Sequence, residues 1–403
     1  MQGGWPAPPA DKAGPDTAYD LYVDPTQAQG EAYTQPEDAV TTVAWDAMTS
    51  FIGLPETYAN DAELFSIVAH ELSHGSQFGI DASEDDAFFE NTSVFMEWTI
   101  AHDVPTYAVG VADYQAHPDR ALNYFGADLY EYGAGMWLIF LSEHFDAGGQ
   151  GLVQRLWNQS KQPTSVTEPD FLDVLPVILG EKGTDLGRFF ATYASWRYFT
   201  GARADGLHFA DGAAWGASSL VATDKLTLAP AGAFQSWLAP FGAAWREVQV
   251  PAGVVALDLA VTGADGAAAI GALDSAGKAS GELVFGSNTL APQRLALPTG
   301  TARALVAVTY APPAWDPDTK NWTAHQVEAR VTAVYPAVTP DAGDGSDTSD
   351  AGTEATVPPE AKPVCHCASG GSAPVWLLGV GVLFTLGRRR AGCRPCGPPD
   401  SPP

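Results

Sequence analysis

Near residue 215 the hydrophobic residues of this 403-residue chain change their period, and that change limits the fold more than any other feature. From about Val40 to Gly201 apolar residues return every three to four positions, the spacing of amphipathic helices. The spacing predicts helices at Ala39–Ile52, Asp61–Phe78, Asp86–His102, Ala116–Phe125, Gly133–Phe145, Gly149–Trp157, Asp170–Leu179 and Leu186–Thr200. From about Leu220 to Pro336, short apolar runs such as "VVALDLAVTGADG" and "ARALVAVTYAPP" alternate with Gly, Pro and Asp turns. Strands at that spacing predict an antiparallel sandwich. Ahead of the helices, "AYDLYVD" (Ala18–Asp24) alternates apolar and polar residues and reads as a strand. The expected class is therefore α+β and multidomain. It comprises a Pro/Gly-rich arm at 1–16, a mainly helical domain at 17–215 and a β-sandwich at 220–337.

Charge and cysteine narrow the chemistry. Against 48 acidic residues stand 20 basic ones, a formal charge of −28 that repels nucleic-acid phosphates, so no nucleic-acid partner is expected. All four cysteines, Cys365, Cys367, Cys393 and Cys396, fall in the last tenth of the chain. Metal chemistry in the first 364 residues must then use histidine and carboxylate. After the sandwich comes "TPDAGDGSDTSDAGTEATVPPEAKP", an acidic, aperiodic linker expected to be disordered (338–363). A short apolar run ending in Arg388, Arg389 and Arg390 follows, within a tail at 364–392, and an extension closes the chain at 393–403. The run from Ala373 to Gly387 is short for a bilayer span but suits a sorting tag with a basic stop.

The residue pattern richest in chemistry is "IVAHELSHGSQFG" (Ile67–Gly79). On a helix His70 and His74 lie within about 40° of each other, so both imidazoles can reach one ion. Glu71 sits one step round, placed to hold a water rather than the metal. Leu64, Phe65, Val68 and Leu72 form a separate apolar stripe expected to pack into the core, and Asn60 with Glu63 reads as a capping box. The next predicted helix carries Glu90 and Glu97, seven apart and separated by about 10 Å along the axis, so only one can join the same ion. Glu90 is preferred, because sixteen residues after His74 leave room for a loop and a first helical turn.

These motifs carry a resemblance. "VAHELSHGSQFG … FFENTSVFMEW" resembles the HExxH–xxQ and E-x-T-A-x-W-M-E motifs of bacterial surface metallopeptidases of the gluzincin type. Glu90, Thr92, Met96 and Glu97 fit the second motif; Ser93 replaces its alanine and Phe95 its tryptophan. "YEYG" (Tyr130–Gly133) and "FATYASWRYFTGARAD" (Phe190–Asp205) extend the likeness over most of Tyr19–Gly206. "LAPFGAAWREVQV" (Leu238–Val250) resembles the opening of that family's sandwich. Ser76 departs from the apolar residue common in such helices. The tail resembles the MYXO-CTERM sorting domain of myxobacterial surface proteins, departing from it by running on past the arginines.

The resemblance implies a zincin-like catalytic domain and Zn2+ held by His70, His74 and Glu90. Glu71 would act as general base on a zinc-bound water, hydrolysing a protein or peptide substrate. Tyr132 or Tyr130 would stabilise the oxyanion, and Glu97 would orient a ligand histidine through its other ring nitrogen. Export to the cell surface, with the tail engaging sorting machinery, completes the expectation. The sequence from Met1 lacks the charged start and apolar run of a secretion signal, so the signal is expected upstream. Two rival functions fit the same text: a surface adhesion or carbohydrate-binding protein with a degenerate peptidase-like domain, and a non-peptidase zinc hydrolase. "DPDTKN" (Asp316–Asn321) reads as a hairpin turn rather than a calcium loop, since it lacks the glycine and includes Lys320. The acidic run Asp81–Asp86 offers oxygen ligands for calcium, though a solvated loop is the preferred reading.

Overall fold

The computed structural model describes residues 4–10, 18–28, 31–163, 168–219 and 225–337. The linker and sorting-tail expectations at 338–403 lie outside them, as do most of the expected 1–16 arm's last residues. Among the described residues no helix is long and apolar enough to cross a membrane.

The chain opens with three strands, β1 (Leu21–Val23), β2 (Tyr33–Ala39) and β3 (Met48–Leu54), in the order β1-β3-β2. β3 is parallel to β1 and antiparallel to β2. The helix expected at Ala39–Ile52 is thus a strand ending and a second strand. β-branched Thr49 and Ile52 and aromatic Phe51 favour the extended form, and a mixed run without strict alternation is one where helix and strand periods are hard to tell apart.

Eight α-helices follow among the described residues: α1 (Asp61–Phe78), α2 (Asp86–Ile100), α3 (Val111–Ala116), α4 (Tyr130–Ala134), α5 (Met136–Phe145), α6 (Gly151–Gln159), α7 (Phe171–Glu181) and α8 (Leu186–Tyr198). The helix expected at Ala116–Phe125 is instead the end of α3 and a run of turns. Pro118 disfavours helical geometry at His117, which adopts φ −125° and ψ 59°. The freed backbone pairs with the sheets: Pro118 O accepts from Ala243 N at 2.6 Å and Asp119 O from Ala239 N at 2.9 Å. The expected Gly133–Phe145 helix starts earlier and breaks at Gly135. Its Gly133 touches Gly110, where a Cβ would stand 2.1 Å from the Gly110 carbonyl oxygen, so only glycine allows the approach of α4 to α3.

Among the described residues nine further strands form two sheets. β10-β7-β12-β5 is antiparallel throughout, and β4-β6-β11-β8-β9 is antiparallel apart from β4 beside β6. Their ranges are β4 (Leu226–Thr227), β5 (Ala231–Leu238), β6 (Ala243–Gln249), β7 (Ala256–Thr262), β8 (Gly266–Leu273), β9 (Ala279–Ser287), β10 (Gln293–Ala296), β11 (Arg303–Tyr310) and β12 (His325–Val334). Leu238, Val248, Leu257, Ile270, Val306 and Val331 meet in a core between the two sheets. β5 and β12 alternate buried and exposed residues because one face meets water. β8 and β11 are buried nearly throughout, because α8 covers their outer face. Ala191 and Ala194 of α8 lie against Ala267, Ala269, Ala307 and Trp245, and the small alanines let the helix sit close. The continuous apolar text "RALVAVTY" is therefore a strand covered on both faces. Contacts join the described residues from Gly4 to Ala337 into one unit.

Candidate metal centre

α1 runs over the predicted range. Asn60 Oδ1 accepts from Ala62 N and Glu63 N, both at 3.0 Å, capping the orphan donors of the first turn. Glu63 reaches back to Ala59 N rather than to Asn60 N, so the cap is a variant of the expected box. The packing of α1 is the reverse of the expectation. Its buried side is polar: Ser66, His70, Glu71, Ser73, His74, Ser76 and Gln77. The stripe of Phe65, Val68 and Leu72 instead lines an open cavity of about 390 Å³ with Met96, Ile100 and Trp5, and Phe65 is 54% exposed. The polar side faces α2 and the small sheet, where its hydrogen bonds are satisfied. Ser76 donates to Pro6 O at 2.9 Å, which an apolar residue there could not do. Gly75 leaves room for Tyr19, whose hydroxyl would lie 2.5 Å from a Cβ. A glycine inside a helix costs about 1 kcal/mol against alanine, and here it admits the segment that flanks Glu71.

α2 packs against α1 and completes the group. His70 Nε2 lies 3.2 Å from His74 Nε2 and 3.1 Å from Glu90 Oε2, and His74 Nε2 lies 3.6 Å from the same oxygen. The three potential ligand atoms fall within 4.8 Å of one another. The outer ring nitrogens are held in turn. His70 Nδ1 is 2.7 Å from Glu97 Oε1, and Ser66 Oγ donates to Glu97 Oε2 at 3.1 Å. His74 Nδ1 is 2.8 Å from Gln77 Oε1, whose amide is oriented by its own donation to Phe89 O at 3.1 Å. Ser93, the residue that departs from the family-like motif, sits 3.1 Å from His74 Nδ1.

These partners decide the tautomers. A carboxylate at one Nδ1 and an amide oxygen at the other require both to carry hydrogen. Both Nε2 lone pairs then point toward each other and toward Glu90, three acceptors in one small volume. Only a cation between them satisfies all three, either a proton or a metal ion. Burial opposes charge on His70, but Glu90 and Glu97 outweigh it and hold its pKa well above the ordinary value. Burial likewise opposes charge on Glu90, and the two imidazoles outweigh it, holding that carboxyl below the usual carboxylate range. Two imidazole nitrogens and one carboxylate oxygen are a donor set that zinc accepts.

Glu71 stands beside this group, buried, with its Oε2 receiving the Thr34 hydroxyl at 2.8 Å. The Thr34 hydroxyl also lies 2.8 Å from the Glu71 carbonyl oxygen, so one β2 side chain grips both ends of the residue. Tyr132 stacks on the His70 ring with centroids 5.8 Å apart. Tyr130 is elsewhere: it is fully buried, and its hydroxyl donates to Arg120 O at 3.2 Å. The structure therefore brings His70, His74, Glu90, Glu71, Glu97 and Tyr132 together and leaves Tyr130 in the core.

Gln77 is the glutamine of the HExxH–xxQ text, whereas Thr34 and Ser66 were not singled out and carry no pattern that would mark them. Glu131 is buried with one oxygen unpaired, and burial, with a smaller push from Glu90, lifts it to about 7.

Searches of known proteins add no relative: no family model matches the chain, and no curated protein matches it significantly.

Proposed function

We propose that this chain is a zinc-dependent endopeptidase of the gluzincin type, with a zincin-like helical domain, a β-sandwich domain and display at the cell surface. The observation that carries the reading is the convergence of three acceptor atoms from His70, His74 and Glu90 with Glu71 alongside. Zinc held by those three residues would supply Lewis-acid polarisation of a peptide carbonyl and activation of a water molecule. Glu71 takes a proton from the attacking water and passes it to the departing amine, so the carboxylate is regenerated at the end of the cycle. Thr34 fixes the Glu71 carboxylate by donating to Oε2, leaving Oε1 for that transfer. Glu97 and Gln77 keep both imidazoles turned with Nε2 inward. Tyr132, stacked on His70, is the side chain we assign to the developing oxyanion. Surface display rests on the tail's likeness to a sorting domain.

Purified full-length chain tests the reading by zinc stoichiometry and by casein or peptide-library turnover, beside Glu71→Gln. One zinc per chain, turnover in the wild type and none in Glu71→Gln is the expected result. Stoichiometric zinc without turnover in either protein removes the peptidase claim, and no bound metal removes the centre itself.

A further inference from the structure

Buried polar groups in this fold differ in how far they are satisfied. The acidic run Asp81–Asp86 is buried at Asp81, Glu84 and Asp85 rather than solvated, and Asp81 Oδ2 and Glu84 Oε2 have no hydrogen-bond partner. Behind the His70 ring, by contrast, the polar side chains are joined in one line. It runs from His70 Nδ1 to Glu97 Oε1 at 2.7 Å, and from Glu97 Oε2 to Ser66 Oγ at 3.1 Å. Ser66 Oγ then meets Thr106 Oγ1 in a further hydrogen bond. Ser66 is fully buried, and Glu97 is 6% exposed.

Separate elements supply the line. Ser66 and His70 stand four apart on α1 and so share a side of that helix, and Glu97 comes from α2. Thr106 lies in the short turn Pro105–Ala108, after α2 has ended and the chain has come back to α1. Hydrogen counting gives the line a direction. A hydroxyl carries one hydrogen, and an ionised carboxylate only accepts. The Ser66 hydrogen goes to Glu97 Oε2, so the hydrogen between Ser66 and Thr106 belongs to Thr106. The other acceptor open to Thr106, the Val104 carbonyl oxygen, is 3.5 Å away, at the limit of a hydrogen bond. Glu97 therefore receives one hydrogen on each oxygen, and both ends of its carboxylate are held. Because Glu97 sets the tilt of the His70 ring, the two hydroxyls act on His70 Nε2 without touching it.

We propose that Ser66 and Thr106 are positioning residues of the histidine centre, holding Glu97 so that His70 keeps Nε2 turned toward His74 and Glu90. His74 is held differently: its Nδ1 partner is the neutral Gln77 amide, anchored in turn on the Phe89 carbonyl. The hydroxyl line thus acts on the His70 ring alone. Its effect on metal affinity rests on the zinc reading above; its effect on the ring does not.

The test compares full-length chains carrying Thr106→Val, Thr106→Ser and Ser66→Ala. Valine keeps the volume of threonine without the hydroxyl, whereas serine keeps the hydroxyl and loses the methyl group. A residue needed only for packing tolerates valine and suffers with serine; the hydroxyl role predicts the reverse. In metal-free protein, Thr106→Val should speed solvent exchange of the His70 Nδ1 hydrogen, followed by NMR, about fivefold, the factor of one lost hydrogen bond. Zinc affinity, measured by competition with a chromogenic chelator, should fall about tenfold in Ser66→Ala and about threefold in Thr106→Val. Thr106→Ser should match wild type in both measurements. Ser66→Ala/Thr106→Val should bind zinc no more weakly than Ser66→Ala, since Thr106 acts only through Ser66. Thr106→Val equal to wild type in both measurements, or Thr106→Ser as damaging as Thr106→Val, overturns the proposal. A wild-type chain that binds no zinc removes the metal reading, and exchange of the His70 hydrogen then decides this one by itself.

Discussion

His70, His74 and Glu90 stand on two packed helices, whereas Glu168, Asp170 and Asp316 stand in loops drawn from the helical and sheet regions. In the first group every ligand-bearing side chain is held from behind. Glu97 and Gln77 fix the rings, and α1 and α2 fix the spacing. In the second group the carboxylates repel each other and Asp173. Helices pre-organise a group through backbone geometry; like-charged loop carboxylates hold on to protons instead. The first arrangement keeps a fixed set of acceptors, and the second makes the fold sensitive to pH.

The largest effect expected is on chemistry at the helix-borne group. Glu71→Gln should reduce peptide turnover by at least about a thousandfold while zinc content, measured by atomic absorption, stays at one per chain. Loss of zinc together with activity would make Glu71 a structural residue and weaken the contrast. Next in size are the ligands. Glu97→Ala should weaken zinc binding about 10- to 100-fold, as an orienting residue does, and Glu90→Ala by clearly more. Competition with a chromogenic chelator measures both, and the reverse ranking would exchange the roles of the two glutamates.

Smaller is the split between the tyrosines. Tyr132→Phe should lower kcat about a hundredfold with little change in Tm. Tyr130→Phe should leave kcat near wild type and cost about 1 kcal/mol of stability, from the lost bond to Arg120 O. A Tyr130 variant that lost activity at unchanged stability would show that the buried position matters to the reaction.

The smallest expected effect is the pH dependence of the loop-borne group. Glu168, Asp170 and Asp81 are held up to about 8, 7 and 7 in the fold, against about 4 in an unfolded chain. Between those limits the folded state binds more protons than the unfolded one, so this group's contribution to stability falls as pH rises from about 4 to 8. Asp46, Glu84, Asp85, Asp173, Asp316 and Asp318 face the same cluster with like charge, and Lys320 opposes them only weakly near Asp85. Tm should therefore fall by a few degrees from about pH 5 to pH 8. A Tm flat over that range would remove these carboxylates from the balance.

The two groups also differ in how far they can be read from the chain. The histidine group was legible because helical spacing is local: His70, His74 and Glu71 follow from four residues of periodicity, and Glu90 from a second helix close in sequence. The burial of α1 was not legible. Phe65, Val68 and Leu72 look like a core stripe, but the polar side of the helix is the one that α2 and the small sheet cover, with hydrogen bonds that composition does not reveal. The strand pair at Tyr33–Leu54 was missed because the polar β2 text "YTQPEDA" has no apolar period and the mixed β3 text "MTSFIGL" does not alternate strictly.

By itself the sequence determined the change from helical to extended structure, the span of α1, and the local placing of two imidazoles and a carboxylate on it. Each of these depends on residues within a turn or two, where backbone period and capping act. The tertiary structure alone decided which face of α1 is buried, that Thr34 reaches Glu71, and that Asp316 joins Glu168 and Asp170 from a distant loop. Those are contacts between segments far apart in the chain, and packing brings them together without leaving a periodic trace in the residues themselves.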